Sequence, residues 1–82
     1  ERMAETEIRF FGPLVEVVDV ERAVVDLGGP VTASELRTRL FELYPDLEGQ
    51  FFSIAVDARL LQEGDVVDRV REIALLPAFA GG

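Results

Sequence analysis

The sequence closes on Gly81-Gly82, reached through Leu75-Leu76-Pro77-Ala78-Phe79-Ala80. Residues without Cβ can enter a narrow channel and take backbone angles closed to others. A terminal carboxylate on Gly82 would be approachable from every side. Activated by a partner with ATP, it becomes an electrophilic acyl group. The domain would then be the carrier and the partner the catalyst. The competing reading is an end that only frays, as termini often do.

The composition leaves little other chemistry. There is no cysteine, hence no disulfide, thiolate nucleophile or zinc cluster. There is no histidine, the commonest general base near neutral pH. All 8 basic residues are arginine, so no lysine amine can form a Schiff base. A self-sufficient enzyme is not expected, although paired carboxylates remain available. The net charge of −8 repels phosphate backbones and anionic lipid. This argues against nucleic acid and membrane as partners. It suits a basic protein partner, or it serves solubility alone.

Eighty-two residues, 49% of them hydrophobic, make one small domain able to fold alone. No apolar run approaches the ~18 residues of a membrane helix. The N-terminus lacks a signal-peptide pattern, so a cytoplasmic location is expected. Met3 is read as the natural start and Glu1-Arg2 as an appended pair. The domain is then 3–82, with its tail at 77–82.

The elements that must position this tail follow from periodicity. Glu7 to Phe11 alternates as a strand, with Ile8 and Phe10 on one face and Arg9 and Phe11 on the other. Gly12-Pro13 breaks it. Leu14 to Val18 is ambiguous: Pro13 permits a short helix, while the valines disfavour one. Arg22 to Leu27 is a second strand with Ala23, Val25 and Leu27 on one face. Thr32 and Glu35 form a capping box that opens a helix to Tyr44. Leu36, Leu40, Leu43 and Tyr44 share its apolar face, and Pro45 ends it. Phe52 to Asp57 is a third strand, with Phe52, Ile54 and Val56 together, and Leu60-Leu61 starts a shorter one. Val70 to Leu76 is the last. Its unbroken apolar run predicts a central strand covered on much of both faces, and Pro77 is expected to stop its ladder. One amphipathic helix over a small sheet is a two-layer α+β domain. If the first and last strands lie side by side and the two early strands form a hairpin, this is a β-grasp, or ubiquitin-like, fold of four to five strands in a mixed sheet; periodicity supports the two layers and leaves the strand order open.

Glu63-Gly64-Asp65 has too few spaced oxygen ligands for a calcium loop and reads as a turn. Gly28-Gly29-Pro30 lacks the glycine run and lysine of a phosphate loop and reads the same way. Phe11 carries more information. If Phe10 enters the core, Phe11 must point outward. There it is either covered by a loop or part of an apolar partner surface that Leu76 would extend.

Three stretches carry a resemblance. "IRFFGPLVEVV", "VTASELRTRLFELYPDL" and "EIALLPAFAGG" resemble the opening strand and short helix, the main helix, and the closing strand and tail of one family. It is the ubiquitin-like sulfur-carrier (ThiS/MoaD-like) family, which includes the small subunit of molybdopterin synthase and the thiamine-pathway carrier. The likeness covers nearly all of 7–82, and its double-glycine end is the specific part. The resemblance implies that an adenylating, E1-like activating enzyme converts the Gly82 carboxylate to an acyl-adenylate. A sulfur donor such as a cysteine desulfurase or rhodanese then makes the thiocarboxylate. The tail next enters the molybdopterin synthase large subunit, where sulfur passes to a pterin precursor. The chain would be a non-catalytic carrier subunit of a sulfurtransferase, with no bound cofactor and no metal. Gly81 and Gly82 match the reactive tail. Phe11 and Leu76 match positions that meet partners, and Pro77 and Phe79 extend that contact. Without Cys or Lys, the carrier has no thiol and no side-chain amine to capture its own activated end.

The sequence departs from the family pattern at several points. Pro77-Ala78 replaces Pro-Pro, and Phe79 is bulkier than usual. Arg69-Val70-Arg71 replaces an Asp-Gly-Asp turn, and Asp57 replaces an Asn. Other readings share the activated Gly82: a ubiquitin-like modifier joined to lysines, or a carrier for thiamine or tRNA thiolation. A plain interaction domain with an incidental tail is the third class.

Overall fold

A computed structural model of the chain describes residues 5–77. Strand β1 is Glu5–Phe10, followed by the short helix α1, Leu14–Val18, and by β2, Arg22–Asp26. Next come β3, Val31–Thr32, the main helix α2, Ala33–Leu43, and a 3-10 turn at Pro45–Leu47. The chain continues through β4 (Phe52–Val56), β5 (Arg59–Leu60), β6 (Val66–Val67) and β7 (Glu72–Pro77). The main sheet has the order β2-β1-β7-β4-β5, with β1 and β7 parallel and the other pairs antiparallel. One main helix covers one face of this mixed five-stranded sheet, which is the expected β-grasp. No helix among the described residues is long and apolar enough to cross a membrane.

The alternation expected of β1 holds. Ile8 and Phe10 are buried and register against Ile73 and Leu75 of β7. Phe52 and Ile54 of β4 complete the layer under α2. The capping box is present: Thr32 Oγ1 accepts from Glu35 N at 3.0 Å, and Glu35 Oε1 accepts from Thr32 N at 2.9 Å. It starts α2 so that Ala33, Leu36 and Leu40 face the sheet. Leu43, expected on that face, is instead 46% exposed. Beyond Leu40 this end of the core is filled by Tyr44, whose ring meets Phe10 edge-on at 5.2 Å, and by buried Leu47. Pro45 turns the chain so that Leu47 takes the place left to Leu43.

Two further expectations are corrected. β7 is central, but Ala74 and Leu76 on its second face are only half-buried, because the single main helix lies on the other face. Pro77 does not cut the strand short; it is the last residue of β7, opposite Phe52. Asp57 N donates to Glu72 O and Phe11 N donates to Leu75 O. Strand alternation therefore aims the Pro77 nitrogen toward the β1 side, past the last paired residue of β1. The missing N–H takes nothing from the β4 ladder. Glu63-Gly64-Asp65 is a turn, closed by Asp65 N donating to Gln62 O and Gln62 N donating to Asp65 Oδ2.

Asp57 and Ala58 form the two-residue loop of the β4–β5 hairpin, with φ of 49° and 72°. Two positive φ values are what a type I′ turn requires. Ala58 holds its angle without the freedom of a glycine. The Asp57 side chain also ties two strands together, since its Oδ1 accepts from both Arg71 N and Glu72 N at 3.0 Å. One carboxylate thus fixes the start of β7 beside the end of β4. Arg69, just upstream, also has a positive φ of 57°.

Candidate functional site

Gly81, Gly82 and Phe79 lie outside the described residues. The described site is the platform behind them: Pro77 and the two surfaces that meet at it.

The first surface is the open face of the sheet. In-register pairing places Ala74, Leu76, Ser53, Ala55 and Leu60 together on it, through Ser53↔Leu76, Ala55↔Ala74 and Ala55↔Leu60. Phe11 extends the β1–β7 ladder by one bond, its N–H donating to Leu75 O at 3.1 Å. Being one residue past core-facing Phe10, it lies on the open side, beside Leu76. Phe11 and Leu76 are half-buried, whereas Leu60 is 62% exposed. Ala55, Ala74 and Ser53 form a floor of small side chains, so a partner backbone can approach it closely. Charge closes the rim. The Arg9 guanidinium stands 5.2 Å from the Phe11 ring centroid, and its Nη1 is 3.3 Å from Glu72 Oε2. Both Arg9 and Glu72 are partly exposed, so this pair orients Arg9 more than it stabilises the fold.

The second surface lies on the other side of Pro77. Pro13, Leu14, Gln50, Phe51 and Pro77 line an apolar recess of about 180 Å³. Phe51 is 84% exposed at its rim. Gly12 holds the recess and the open face in fixed relation. Its φ is +61°, and a Cβ built there would stand 2.8 Å from Pro77 Cγ. The turn after β1 can pass this close to Pro77 only because Gly12 has no side chain. A larger cavity of about 410 Å³, between Thr6, the Gly28-Gly29 loop and Arg69, lies at the opposite end of β1. Among the described residues no cluster of three or more His, Cys, Asp or Glu could hold a metal ion.

The structure thus brings together Phe11, Leu76 and Pro77 of the residues picked from sequence. Leu60, Ala55 and Phe51 were missed. The Phe51-Phe52 doublet carried the signal already used for Phe10-Phe11: adjacent aromatics at a strand cannot both be buried. Leu60 could have been placed by reading Asp57-Ala58 as a hairpin turn, but neither residue is the glycine that marks one.

A family model described as the ThiS family matches residues 8–82. Solved structures of similar fold include a protein described as molybdopterin converting factor, subunit 1, from Pyrococcus furiosus. Its TM-score is 0.80 at 10% identity, with 93% of this chain and 99% of that chain covered. Small archaeal modifier protein 1 of Haloferax volcanii superposes with a TM-score of 0.77 at 23% identity, covering 93% and 99%. Its counterpart from Methanosarcina acetivorans gives 0.62 at 19% identity, with both chains covered in full. At these identities the superpositions establish the fold alone.

Proposed function

The chain belongs to the ThiS family, and on that premise we propose that it is a sulfur carrier working through the carboxylate of Gly82. The observation that carries this reading is the extent of the family match, which runs through Gly81-Gly82 to residue 82. In the proposed cycle an activating enzyme directs a Gly82 carboxylate oxygen to the α-phosphorus of ATP. Pyrophosphate leaves, and the acyl-adenylate forms. The terminal sulfur of a donor persulfide attacks the acyl carbon and expels AMP. A second thiol then cleaves the resulting acyl disulfide, leaving the thiocarboxylate on Gly82 and a disulfide on the donor. The chain supplies the acyl group and the handle; its partners supply catalysis, ATP and sulfur. Phe11, Leu76 and Leu60 form the surface each partner grips, and Pro77 and Phe79 guide the end into the partner's channel.

The acceptor we favour is a pterin precursor in the large subunit of molybdopterin synthase, in molybdenum cofactor synthesis. The fold shared with the Pyrococcus furiosus protein supports it. The structures described as small archaeal modifiers favour a second reading, a modifier joined to lysine amines through Gly82. Recovery of N-terminally tagged protein from its native cells separates the two. A carrier is expected to return with a non-covalently bound large subunit and no adducts. Higher-mass covalent bands that vanish when Gly82 is deleted would instead identify a modifier.

A further inference from the structure

Among the described residues strand β2 is an edge of the main sheet, and it has the features of a self-complementary interface. Its inner side pairs with β1 over five unbroken positions, from Glu5↔Asp26 to Arg9↔Arg22. Phe10 N donates to Glu21 O at 2.9 Å. By antiparallel alternation, Ala23 and Val25 turn their backbone groups to β1, while Arg22, Val24 and Asp26 turn theirs to the free edge. The side chains of these three lie on the open face. Val24 is 65% exposed, and the Arg22 side chain 63%.

We infer that β2 pairs antiparallel with β2 of a second copy, about a two-fold axis at Val24. Val24 then faces the partner's Val24, Arg22 faces the partner's Asp26, and Asp26 faces the partner's Arg22. The three residues with free backbone groups are the three that fall opposite one another, so each facing pair exchanges both of its hydrogen bonds. A slip by one residue would bring groups already committed to β1 to the new seam and reverse the faces.

Charge selects the same register. Glu5 and Asp26 are directly opposed acids within one copy, an arrangement that destabilises a sheet. The described ion pairs, Arg9–Glu72 and Arg22–Glu7, include neither of them. One Asp26 oxygen accepts from Gly28 N, at 2.9 Å. The partner's Arg22 brings a cation to this acidic corner. Edge strands commonly guard themselves with proline or with charged side chains; Arg22–Asp26 has no proline, and its two charges are of opposite sign, so in this register they attract across the seam instead of blocking it. The other edge, β5, spans only Arg59–Leu60 and offers no comparable length.

Facing residues of a sheet share a face, so the open faces of both copies lie on the same side of one continuous sheet. β1 separates β2 from β7, which leaves Phe11, Leu76 and Pro77 clear of the seam. The dimer therefore presents two docking faces at once. A seam one strand wide falls below the size of a stable interface, so association is weak, with Kd between about 1 µM and about 1 mM.

Sedimentation of the full chain across that concentration range tests the inference. A reversible monomer–dimer equilibrium is expected. Arg22→Asp and Asp26→Arg, which each set like charges across the seam, should raise Kd at least about tenfold, and the double exchange should restore it. Val24→Pro removes an outward N–H without touching the β1 ladder and should abolish the dimer while the urea midpoint stays nearly unchanged. A chain that stays monomeric to about 1 mM overturns the inference. So does a dimer indifferent to the single exchanges, or one that survives Val24→Pro.

Discussion

Leu76→Glu is expected to weaken binding to the proposed activating enzyme at least about tenfold, about 1.4 kcal/mol, while the domain stays folded. Leu76 lies on the open face, half-buried, opposite Ser53 and beside Phe11. Its methyl groups are not in the core beneath α2, which is built from Ile8, Ile54, Ile73, Leu75, Leu36 and Leu40. A carboxylate there costs the free protein little. In a complex it would be desolvated on a floor of Ala55 and Ala74, and the Arg9 guanidinium on this face is already paired to Glu72. Central apolar anchors of this kind dominate binding energy. Leu43→Glu, on the helical layer away from the open face, is the matched control and should leave affinity unchanged. Titration calorimetry of both variants reads the effect. Equal affinities would place docking elsewhere.

Gly12→Val is expected to be the most damaging single substitution outside the core. The positive φ at Gly12 is strained for a β-branched residue by about 1–3 kcal/mol. The new Cβ would also stand 2.8 Å from the rigid Pro77 ring, so either the turn or the end of β7 must move. Together these predict a loss of about 3 kcal/mol or more in urea unfolding. Gly64→Val separates the two causes, because Gly64 has a φ of +91° with nothing within 4 Å of its Cβ position. It should show the backbone penalty without the clash. Similar losses in both variants would show that the Pro77 contact contributes nothing.

The Gly12–Pro77 contact marks where the sequence stops being legible. Local signals read well. Thr32 and Glu35 announced α2, and Ile8 and Phe10 announced the core face of β1. Those inferences depend on periodicity and capping, which act over a few residues and give the two layers; the strand order of the β-grasp rested on the family resemblance. Gly12 and Pro77 are far apart in sequence, and nothing in either neighbourhood announces that they touch. Leu43 was misplaced for a related reason. A helical wheel puts it on the core face, but what fills that end is decided by Tyr44 and Leu47 beyond the helix. The small β3–β6 pair, at Val31↔Val67 and Thr32↔Val66, is too short to leave any period. On the open face, Phe11 and Leu76 were found because alternation forces one of two adjacent apolar residues outward. Leu60 depended on a hairpin whose turn contains no glycine.

The fold brings Phe11, Leu76 and Pro77 together at the end of β7, and the proposed chemistry rests on Gly82. Intact-mass spectrometry of the chain, after incubation with its activating enzyme, ATP and a persulfide donor, tests this most directly. A mass gain equal to exchanging one oxygen for sulfur, located at Gly82 and lost when ATP is withheld, is the expected result. A chain that forms the acyl-adenylate but never gains sulfur at Gly82 would contradict sulfur carriage.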